Sequence, residues 1–342
     1  MTLNSRISVS FEIMLPKCIT CSWWIRTAAQ RFMNIKGRKD IHMEENALQL
    51  VSCNLCGNDQ IKELYNLPPY NIVRCLNCGL VYLNPRPYPG QMMKAYDSQD
   101  YYFSDGKQTE MFYGYPDYTK LRKHLYFVAD ELMRPLKNTI RGNLLDVGCG
   151  MGFMMKRFQE LGWESHGVDV SSYATEYARS ELGLKAYTGT LETLNLANDF
   201  FDTVTIILAI EHMPDPRSTL AAVNKLMKPG ATIIIATHDI GGLWPRISRS
   251  KWQHIFVPEH LFFFSRKTLA RLLNETGFDT FKITETATLA SVTGDGSGLR
   301  TPVKLLHEYN LEKTVIQMLR CFHYVARKLN FSDQVTAYAV KR

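Results

Sequence analysis

The chain has 342 residues, of which 45% are hydrophobic and 21% are charged, and its formal net charge is +7. This composition is typical of a soluble protein, and the length accommodates a full catalytic domain and a small accessory one. No apolar run reaches the roughly 20 residues that a membrane-crossing helix needs, so the sequence predicts no transmembrane segment. The modest net charge argues against nucleic acid as the partner.

Residues 1–45 are interpreted as a basic extension. Residues 1–42 contain seven lysines and arginines but only two acidic residues. Such a stretch can indicate contact with a membrane or nucleic acid, or an import signal. Its apolar portion is short and shows no cleavage site. The alternative to a functional segment is that these residues are disordered, or that they extend the reading frame upstream of a working start at Met33 or Met43.

Two Cys-x-x-Cys pairs distinguish residues 46–87. They are Cys53 with Cys56 and Cys75 with Cys78, and the 18 residues between the pairs fit the spacing of a structural zinc site. A glycine follows each pair and lets the backbone turn sharply around a metal. Four thiolates suit tetrahedral Zn²⁺ and leave no open position. The pattern therefore predicts a structural zinc ribbon with these four cysteines as metal ligands.

The remaining cysteines support a different interpretation. Cys18 and Cys21 form a third pair, but no glycine follows it and the other pairs are distant, so we expect both to be unliganded; a metal role is the alternative. Cys149 and Cys321 need no chemical role. Free thiols beside a thiolate zinc site fit a reducing compartment, and we expect a cytoplasmic protein.

Residues 88–140 are predicted to be a connector followed by a helix. The connector is rich in tyrosine and polar residues as far as residue 117. Apolar side chains then recur at helical spacing at Tyr118, Leu121, Leu125, Val128 and Leu132. This spacing predicts a helix immediately before the next domain.

The most informative segment is Leu144–Gly152, which reads Leu-Leu-Asp-Val-Gly-Cys-Gly-Met-Gly. An apolar run that ends in an acid predicts a buried parallel strand, and helical spacing follows over residues 153–161. A strand that breaks on glycines into a helix leaves a bare loop of N–H groups that can hold an anion. Phe153 occupies the place where a nicotinamide site needs its third glycine, so the spacing disfavours a dinucleotide.

A second acid, Asp169, ends the next predicted strand, which begins at Glu164. A carboxylate at this place can accept hydrogen bonds from both hydroxyls of a cofactor ribose. The alternative is that Asp169 caps a helix, but its distance from Asp146 favours the ribose role. Ser171 and Ser172 can cap the helix that follows.

The rest of the chain continues the alternation of strands and helices. Further strands are predicted at residues 185–188, 201–208, 231–237, 280–284 and 334–340, which makes seven in all. Residues 300–330 are predicted as a helical insertion with a basic amphipathic face. A solvated face is favoured there over docking on a membrane.

In this order, the motifs over residues 118–285 resemble those of class I S-adenosylmethionine-dependent methyltransferases. Leu144–Gly152 is similar to their first motif, and residues 209–216 resemble the Glu-His-hydrophobic-x-Asp-Pro loop of one large subgroup. Residues 226–230 resemble the Lys-Pro-Gly turn before the fifth strand. Residues 240–265, here called the cover, resemble the active-site cover of that subgroup.

The resemblance implies an α/β fold: a Rossmann-like seven-stranded sheet with helices on both faces over residues 141–342. Methyltransferases with an N-terminal zinc ribbon often carry an aromatic-x-Asn-Pro segment like Tyr82–Pro85, which implies that the two modules belong together. The implied cofactors are S-adenosyl-L-methionine and structural Zn²⁺. The implied cofactor-binding residues are Asp146, Gly148, Cys149, Gly150, Gly152, Asp169, Val170, Thr190, Leu191 and Leu208.

Candidate catalytic groups follow from the chemistry of methyl transfer, which is a direct displacement aided by a base when the acceptor is a hydroxyl. His212 follows the carboxyl end of the fourth strand and is the first candidate base. His260 on the cover is the second, and His238 and His254 are weaker candidates. Glu211 could orient a substrate or cap the turn. Each histidine could instead be structural.

Two departures from the resemblance bear on the acceptor. Ubiquinone-pathway O-methyltransferases, which share the Glu-His element, carry another Glu of a metal-binding trio where Leu208 stands, so we expect no catalytic metal. His238-Asp239 replaces the Pro-Asn of many relatives, which leaves the acceptor pocket and an oxygen, nitrogen or carbon acceptor open.

Zinc-ribbon relatives often act on sugars, surface glycans or secondary metabolites, so a small polar acceptor is favoured. The main alternative is a nucleic-acid-modifying methyltransferase or a nucleic-acid-binding zinc-ribbon protein, which needs a continuous basic face. A non-catalytic module with a degenerate cofactor site is a third alternative. The sequence does not decide the oligomeric state.

Overall fold

The computed structural model describes residues 48–104, 114–115, 117–285 and 333–342. The predicted basic extension at residues 1–45 and the predicted helical insertion at residues 300–330 lie outside the described residues. Within the described ranges, no helix is both long enough and apolar enough to cross a bilayer.

The ribbon, residues 46–87, forms short antiparallel strands in its described part. They are β1 (Leu48–Gln49), β2 (Ile61–Leu67), β3 (Tyr70–Cys75), β4 (Val81–Leu83) and β5 (Arg86–Pro87). Strand β3 pairs with both β2 and β4, and β1 pairs with β5. The first cysteine pair lies between β1 and β2, and the second consists of Cys75, which ends β3, and Cys78 in the turn before β4.

The connector contains two short helices that its sequence does not predict, α1 (Pro89–Tyr96) and α2 (Gln99–Tyr102). Helix α1 begins with proline at its first position, where a missing N–H removes no helical hydrogen bond. Ser98 caps α2 by accepting the N–H of Tyr101. A 3₁₀ turn then leads into α3 (Arg122–Met133). Helices this short show too few turns for a periodic apolar pattern.

The rest of the described chain alternates strands and helices. They are β6 (Asn143–Val147), α4 (Phe153–Glu160), β7 (Glu164–Asp169), α5 (Ser172–Ser180), β8 (Lys185–Thr188), β9 (Phe201–Ile207), α6 (Pro216–Leu226), β10 (Met227–His238), α7 (Leu243–Ser248), β11 (Phe262–Phe263), α8 (Arg266–Glu275), β12 (Phe278–Glu285) and β13 (Gln334–Lys341).

Seven of these strands form one sheet in the order β12-β13-β10-β9-β6-β7-β8. The run from β10 to β8 is parallel, whereas β13 is antiparallel to both of its neighbours. The predicted α/β fold with a Rossmann-like seven-stranded sheet is therefore confirmed.

Helices cover both faces of this sheet. Along β10, Ile233 and Ile235 belong to a buried cluster that includes Leu220 of α6. Ile234, between them, belongs to a second cluster that includes Leu132 of α3. Successive side chains of a strand point to opposite faces, so an uninterrupted isoleucine run is stable only when both faces are covered.

The cover contains a strand that pairs with the ribbon. In β11, Phe262 lies opposite Tyr82 and Phe263 lies opposite Val81, in an antiparallel pair with β4. All four side chains are buried. The pairing completes a four-stranded sheet, β11-β4-β3-β2. It gives hydrogen-bond partners to backbone groups of β4 that would otherwise lie at an open sheet edge. Backbone hydrogen bonds thus join the cover to the ribbon.

Candidate active site

Three glycines carry the chain from β6 into α4 in left-handed backbone conformations. The φ angles of Gly148, Gly150 and Gly152 are +79°, +51° and +81°. A Cβ added at Gly148 would lie 2.6 Å from the Cβ of Ala209, and one added at Gly152 would lie 2.9 Å from the Cβ of Ala178. Only glycine meets both the conformational and the steric requirement here.

The N–H groups of this loop differ from the bare row that the sequence predicts. Gly148 and Cys149 donate to the carbonyl of Val168, with N···O distances of 2.8 and 3.2 Å. Gly150 donates to Oδ2 of Asp169 at 2.8 Å. These amides therefore fasten the glycine loop to the end of β7.

Asp169 lies where the two predicted cofactor-binding segments meet. Its Oδ1 accepts the N–H of Ser171 at 2.9 Å, and its Oδ2 accepts the N–H of Gly150. Ser171 itself caps α5, because its Oγ accepts the N–H of Ala174. Although Asp169 is partly exposed, desolvation by the surrounding protein raises the pKa of its carboxyl. Each carboxylate oxygen has a second lone pair, so both can still accept a hydroxyl.

Asp146 lies within the sheet, with 3% of its surface exposed. Thr205 on β9 donates its hydroxyl to Oδ1 of Asp146 at 2.6 Å. Burial raises the pKa of the Asp146 carboxyl to about 7. The hydrogen bond between Thr205 and Asp146 therefore joins the neighbouring strands β9 and β6.

The other predicted cofactor residues follow the carboxyl ends of neighbouring parallel strands. Val170 is half-buried after β7, and Thr190 and Leu191 follow β8. Leu208 follows β9 with a φ of +50° and 42% of its surface exposed. The predicted set thus gathers along one edge of the sheet, the edge at which open α/β sheets bind ligands.

Sequence reasoning missed an aromatic wall over the glycine loop. The hydroxyl of Tyr118 would lie 3.0 Å from a Cβ at Gly150, and its ring stacks on Phe153 with centroids 5.8 Å apart. Tyr102 and Tyr115 meet Tyr118 edge to face at 5.4 and 4.8 Å. The abundance of tyrosine in the connector was the available signal.

His212 lies in a 3₁₀ turn after β9. Its Nδ1 is 3.0 Å from the carbonyl oxygen of Glu259 and 2.9 Å from the hydroxyl of Tyr96. A carbonyl can only accept, so Nδ1 carries the proton and Nε2 carries the lone pair. Burial lowers the pKa of His212 to about 4, which leaves the ring neutral at pH 7.

His260 has the same arrangement beside it. Its Nδ1 is 2.8 Å from the carbonyl oxygen of His254, so its Nε2 also carries the lone pair. The rings of His212 and His260 meet edge to face at 4.7 Å. Burial, with His212 and His254 nearby, holds the pKa of His260 well below its usual value. The structure thus brings the two predicted bases together, both neutral.

Glu211 lies beneath these histidines, with 1% of its surface exposed. The hydroxyl of Thr237 donates to its Oε2 at 2.9 Å, and its Oε1 lies 3.8 Å from Nε2 of His238. Burial raises the pKa of the Glu211 carboxyl to about 7. The ring of His238 in turn stacks on His254 at 3.7 Å. Both weaker candidates therefore belong to the same group, here called the histidine cluster: Glu211, His212, His238, His254 and His260.

The four predicted metal ligands of the ribbon also converge. All four sulfur atoms lie within 4.8 Å of one another, and Cys53 and Cys78 are 3.4 Å apart. Gly57 and Gly79 close the two turns by donating to the carbonyls of Cys53 and Cys75. Zn–S bonds of about 2.3 Å place tetrahedral sulfurs about 3.8 Å apart, so this set could hold one zinc ion.

The ribbon also contacts the loop that carries Glu211. Arg217 donates to the carbonyl of Asn54, whose amide donates to Asp215 at 2.8 Å. Leu83 of β4 donates to the carbonyl of Leu261 at 2.9 Å, and Leu261 donates to the carbonyl of Glu211 at 2.8 Å. A short backbone path therefore connects the ribbon, the cover and Glu211.

Comparison with known proteins agrees with this architecture. Residues 118–283 match the family model described as a methyltransferase domain. A ubiquinone biosynthesis O-methyltransferase of Thiobacillus denitrificans is 29% identical over 154 residues, which cover 41% of this chain and 66% of that protein. One from Alkalilimnicola ehrlichii is 36% identical over 100 residues, which cover 28% of this chain and 40% of that protein. The chain spans less than two thirds of the length of these relatives.

Among solved structures, phosphoethanolamine N-methyltransferase 2 of Haemonchus contortus, in complex with S-adenosyl-L-methionine, is similar. It is 14% identical, with a TM-score of 0.46, and the match covers 82% of this chain and 71% of that chain. The residues matched by the family model include the predicted cofactor-binding residues and all members of the histidine cluster, whereas the four ribbon cysteines lie before them.

Proposed function

We propose that this chain, whose residues 118–283 form a methyltransferase domain, is a class I S-adenosylmethionine-dependent methyltransferase. The observation that carries the proposal is the hydrogen bond between Gly150 and Asp169, which joins the ends of the adjacent parallel strands β6 and β7. Ligands of open α/β sheets bind outside the carboxyl ends of the strands, where these two segments meet.

S-adenosyl-L-methionine supplies a methyl group bonded to a positively charged sulfur. The chain would hold its ribose with Asp169, both of whose oxygens keep the capacity to accept a hydroxyl. Val170, Thr190 and Leu191 would border the adenine. Tyr118 would cover the glycine loop from the side of the connector.

The acceptor we favour is a hydroxyl of a small polar molecule: a sugar, a glycan or a secondary metabolite. Two relatives are named as O-methyltransferases of ubiquinone biosynthesis, which supports a small-molecule hydroxyl. The histidine cluster supports the same choice, because a hydroxyl gains more from a nearby base than an acceptor that is already nucleophilic.

His212 is the base that the geometry favours. Its Nδ1–H is held by the carbonyl of Glu259, which leaves the lone pair of Nε2 to take the hydroxyl proton of the acceptor. His260 lies beside it as the second candidate. Glu211 fixes the cover through its carbonyl, which accepts the N–H of Leu261, and so helps to orient the acceptor.

We further propose that the four ribbon cysteines hold a structural Zn²⁺ ion. A set of four thiolates saturates tetrahedral zinc and leaves no position for substrate. Thiolate sites and free thiols persist in a reducing environment, so we place the protein in the cytoplasm.

Turnover of S-adenosyl-L-methionine against a panel of sugars, phenols and RNA tests the proposal. We expect methyl transfer to a small hydroxyl compound, and we expect His212→Ala to lower kcat by about 10²–10⁴-fold with little change in cofactor affinity. The control is His124→Ala, on α3 outside the histidine cluster. Transfer to RNA alone would overturn the assigned acceptor, and failure to bind the cofactor would overturn the enzyme class.

A further inference from the structure

Three potential metal ligands meet in the histidine cluster, each from a different element. Glu211 lies in the turn after β9, His238 ends β10, and His260 lies on the cover. One donor atom from each side chain lies within 4.8 Å of the other two. The three residues are 1%, 8% and 4% exposed. Polar groups this deeply buried are costly unless they have partners.

Two atoms of this group have no hydrogen-bond partner in the part of the chain that the structure describes. They are Oε1 of Glu211 and Nδ1 of His238. The 3.8 Å between Oε1 of Glu211 and Nε2 of His238 is too long for a hydrogen bond. A buried polar atom without a partner is destabilising, so a further partner would stabilise this cluster.

The outer contacts of Glu211 and His260 are those of ligating groups. His260 donates Nδ1–H to a backbone carbonyl, which leaves the lone pair on Nε2. Thr237 donates to Oε2 of Glu211 and leaves Oε1 available. Metal-bound histidines almost always donate their other N–H to an acceptor, and ligating carboxylates are themselves hydrogen-bonded.

We propose that Glu211, His238 and His260 bind one divalent transition-metal ion, separate from the cysteine site. Two imidazoles and one carboxylate suit ions such as Zn²⁺, Fe²⁺ and Co²⁺. Ligands about 2.1 Å from a shared ion lie about 3.0–3.4 Å apart, so binding draws these side chains inward. The expectation of no catalytic metal rested on Leu208, which stands where relatives carry a Glu of a metal-binding trio, whereas the set proposed here does not use that position.

Three protein ligands leave coordination positions open, as in catalytic sites and unlike the cysteine set. If the proposed methyl transfer holds, on which this role rests, an acceptor that offers oxygen atoms can take such a position. His212, whose ring is 4.7 Å from that of His260, would then lie beside the acceptor as the base. The metal site itself is testable without any activity.

The experiment is a titration of the full-length, metal-free chain with Co²⁺, followed by absorption spectroscopy. Cobalt at four thiolates gives intense sulfur-to-metal charge-transfer bands, whereas cobalt at two histidines and a carboxylate gives only weak visible bands. We expect two equivalents per chain, one of each kind. A single equivalent with thiolate bands would overturn the proposal without the use of any variant.

Variants locate the second ion. His238→Ala and Glu211→Gln should each lose the weak bands and one equivalent while the thiolate bands remain, which also reports that the ribbon is folded. His212→Ala, in the same cluster but outside the proposed ligand set, should keep both equivalents. A second equivalent that persists in His238→Ala and Glu211→Gln would contradict the assignment. Two equivalents in a chain that transfers no methyl would refute the proposed function alone.

Discussion

Asp146 and Glu211 are almost fully buried carboxyl groups, and burial raises the pKa of each to about 7. His212 is half-buried in the 3₁₀ turn that also contains Glu211, and burial lowers its pKa to about 4. Desolvation therefore acts in opposite directions on the acids and the base, because it disfavours whichever form is charged. Near neutral pH this part of the molecule carries less charge than its residue types suggest.

Asp169→Ala should weaken binding of S-adenosyl-L-methionine by about 10–100-fold, because hydrogen bonds to a charged group contribute about 1.5–3 kcal/mol. Isothermal titration calorimetry measures this affinity. Glu176→Ala is the control, since Glu176 is an exposed acid on α5 paired only with Arg179 in the described structure. Equal affinities for wild type and Asp169→Ala would refute the ribose assignment.

Asp146→Asn should change how stability depends on pH. The folded-state pKa of about 7 lies above the usual value of 3.8, so the folded protein holds a proton that the unfolded chain releases. Asp146 should therefore contribute a loss of wild-type stability as pH rises from about 4 to about 7, and the variant should lack this contribution. Urea unfolding without cofactor at several pH values measures the free energy of unfolding. Parallel curves for the two proteins would contradict the prediction.

The central element of the proposed cofactor site is the turn from β6 into α4. Glycine is required at its positions for two reasons. The backbone has positive φ angles there, and side chains from other elements fill the space that a Cβ atom would need. Ala209, which follows β9, fills the space beside Gly148, and Ala178 of α5 fills the space beside Gly152. The turn is thus packed on two sides, and the hydrogen bond from Gly150 to Asp169 fixes its position relative to β7.

Gly148→Ala should lower the free energy of unfolding by more than about 2 kcal/mol, because left-handed backbone strain and a steric clash add together. Gly183→Ala is a matched control: its φ is +65°, but no atom lies within 4 Å of an added Cβ. It should lose only about 1 kcal/mol from strain. Chemical denaturation measures both.

The double variant Gly148→Ala/Ala209→Gly separates the clash from the strain. Removing the Cβ of Ala209 removes the contact that would otherwise be 2.6 Å long. We expect the double variant to recover part of the lost stability. A Gly148→Ala protein as stable as Gly183→Ala would show that the loop relaxes without cost.

At the scale of the whole molecule, the ribbon and the domain that carries the seven-stranded sheet are joined by shared structure. β11 of the cover is the fourth strand of the ribbon sheet, and Leu261, just before it, donates to the carbonyl of Glu211. Buried residues of the ribbon and of the large sheet also belong to one hydrophobic cluster. The ribbon therefore supports the side of the candidate site that carries the histidine cluster.

Cys75→Ser should remove one equivalent of zinc, lower the thermal midpoint and reduce turnover. The cause is loss of the ribbon turn that supports β4 and, through it, the cover. Cofactor affinity should change little, because the hydrogen bond between Gly150 and Asp169 joins the turn after β6 to the end of β7 and involves no residue of the ribbon.

Elemental analysis, calorimetry and turnover measure these effects of Cys75→Ser. Cys18→Ser is the control, since Cys18 is predicted to be unliganded. Unchanged zinc content in Cys75→Ser would refute the proposed zinc site at the four cysteines. Equal loss of zinc in both variants would indicate that the N-terminal cysteine pair also binds metal.

Local patterns were enough to predict the seven strands of the large sheet, the glycine turn and the cysteine pairs. An apolar run, a glycine spacing or a Cys-x-x-Cys turn depends on residues that lie within a few positions of one another. The seven-stranded sheet itself was predicted from the resemblance of those motifs, in their order along the chain, to one family. The side chains at the ends of β6 and β7 were predictable for the same reason, because parallel strands end at one edge.

Only the tertiary structure decided which distant groups meet. His238 and His260 join Glu211 because β9 and β10 are adjacent and the cover returns over their ends. β11 pairs with β4, far back in the chain, and Tyr118, in the 3₁₀ turn after the connector, lies over Gly150. Such contacts are set by sheet order, by the need of an edge strand for a partner and by burial. None of these has a short-range signature in the amino-acid sequence.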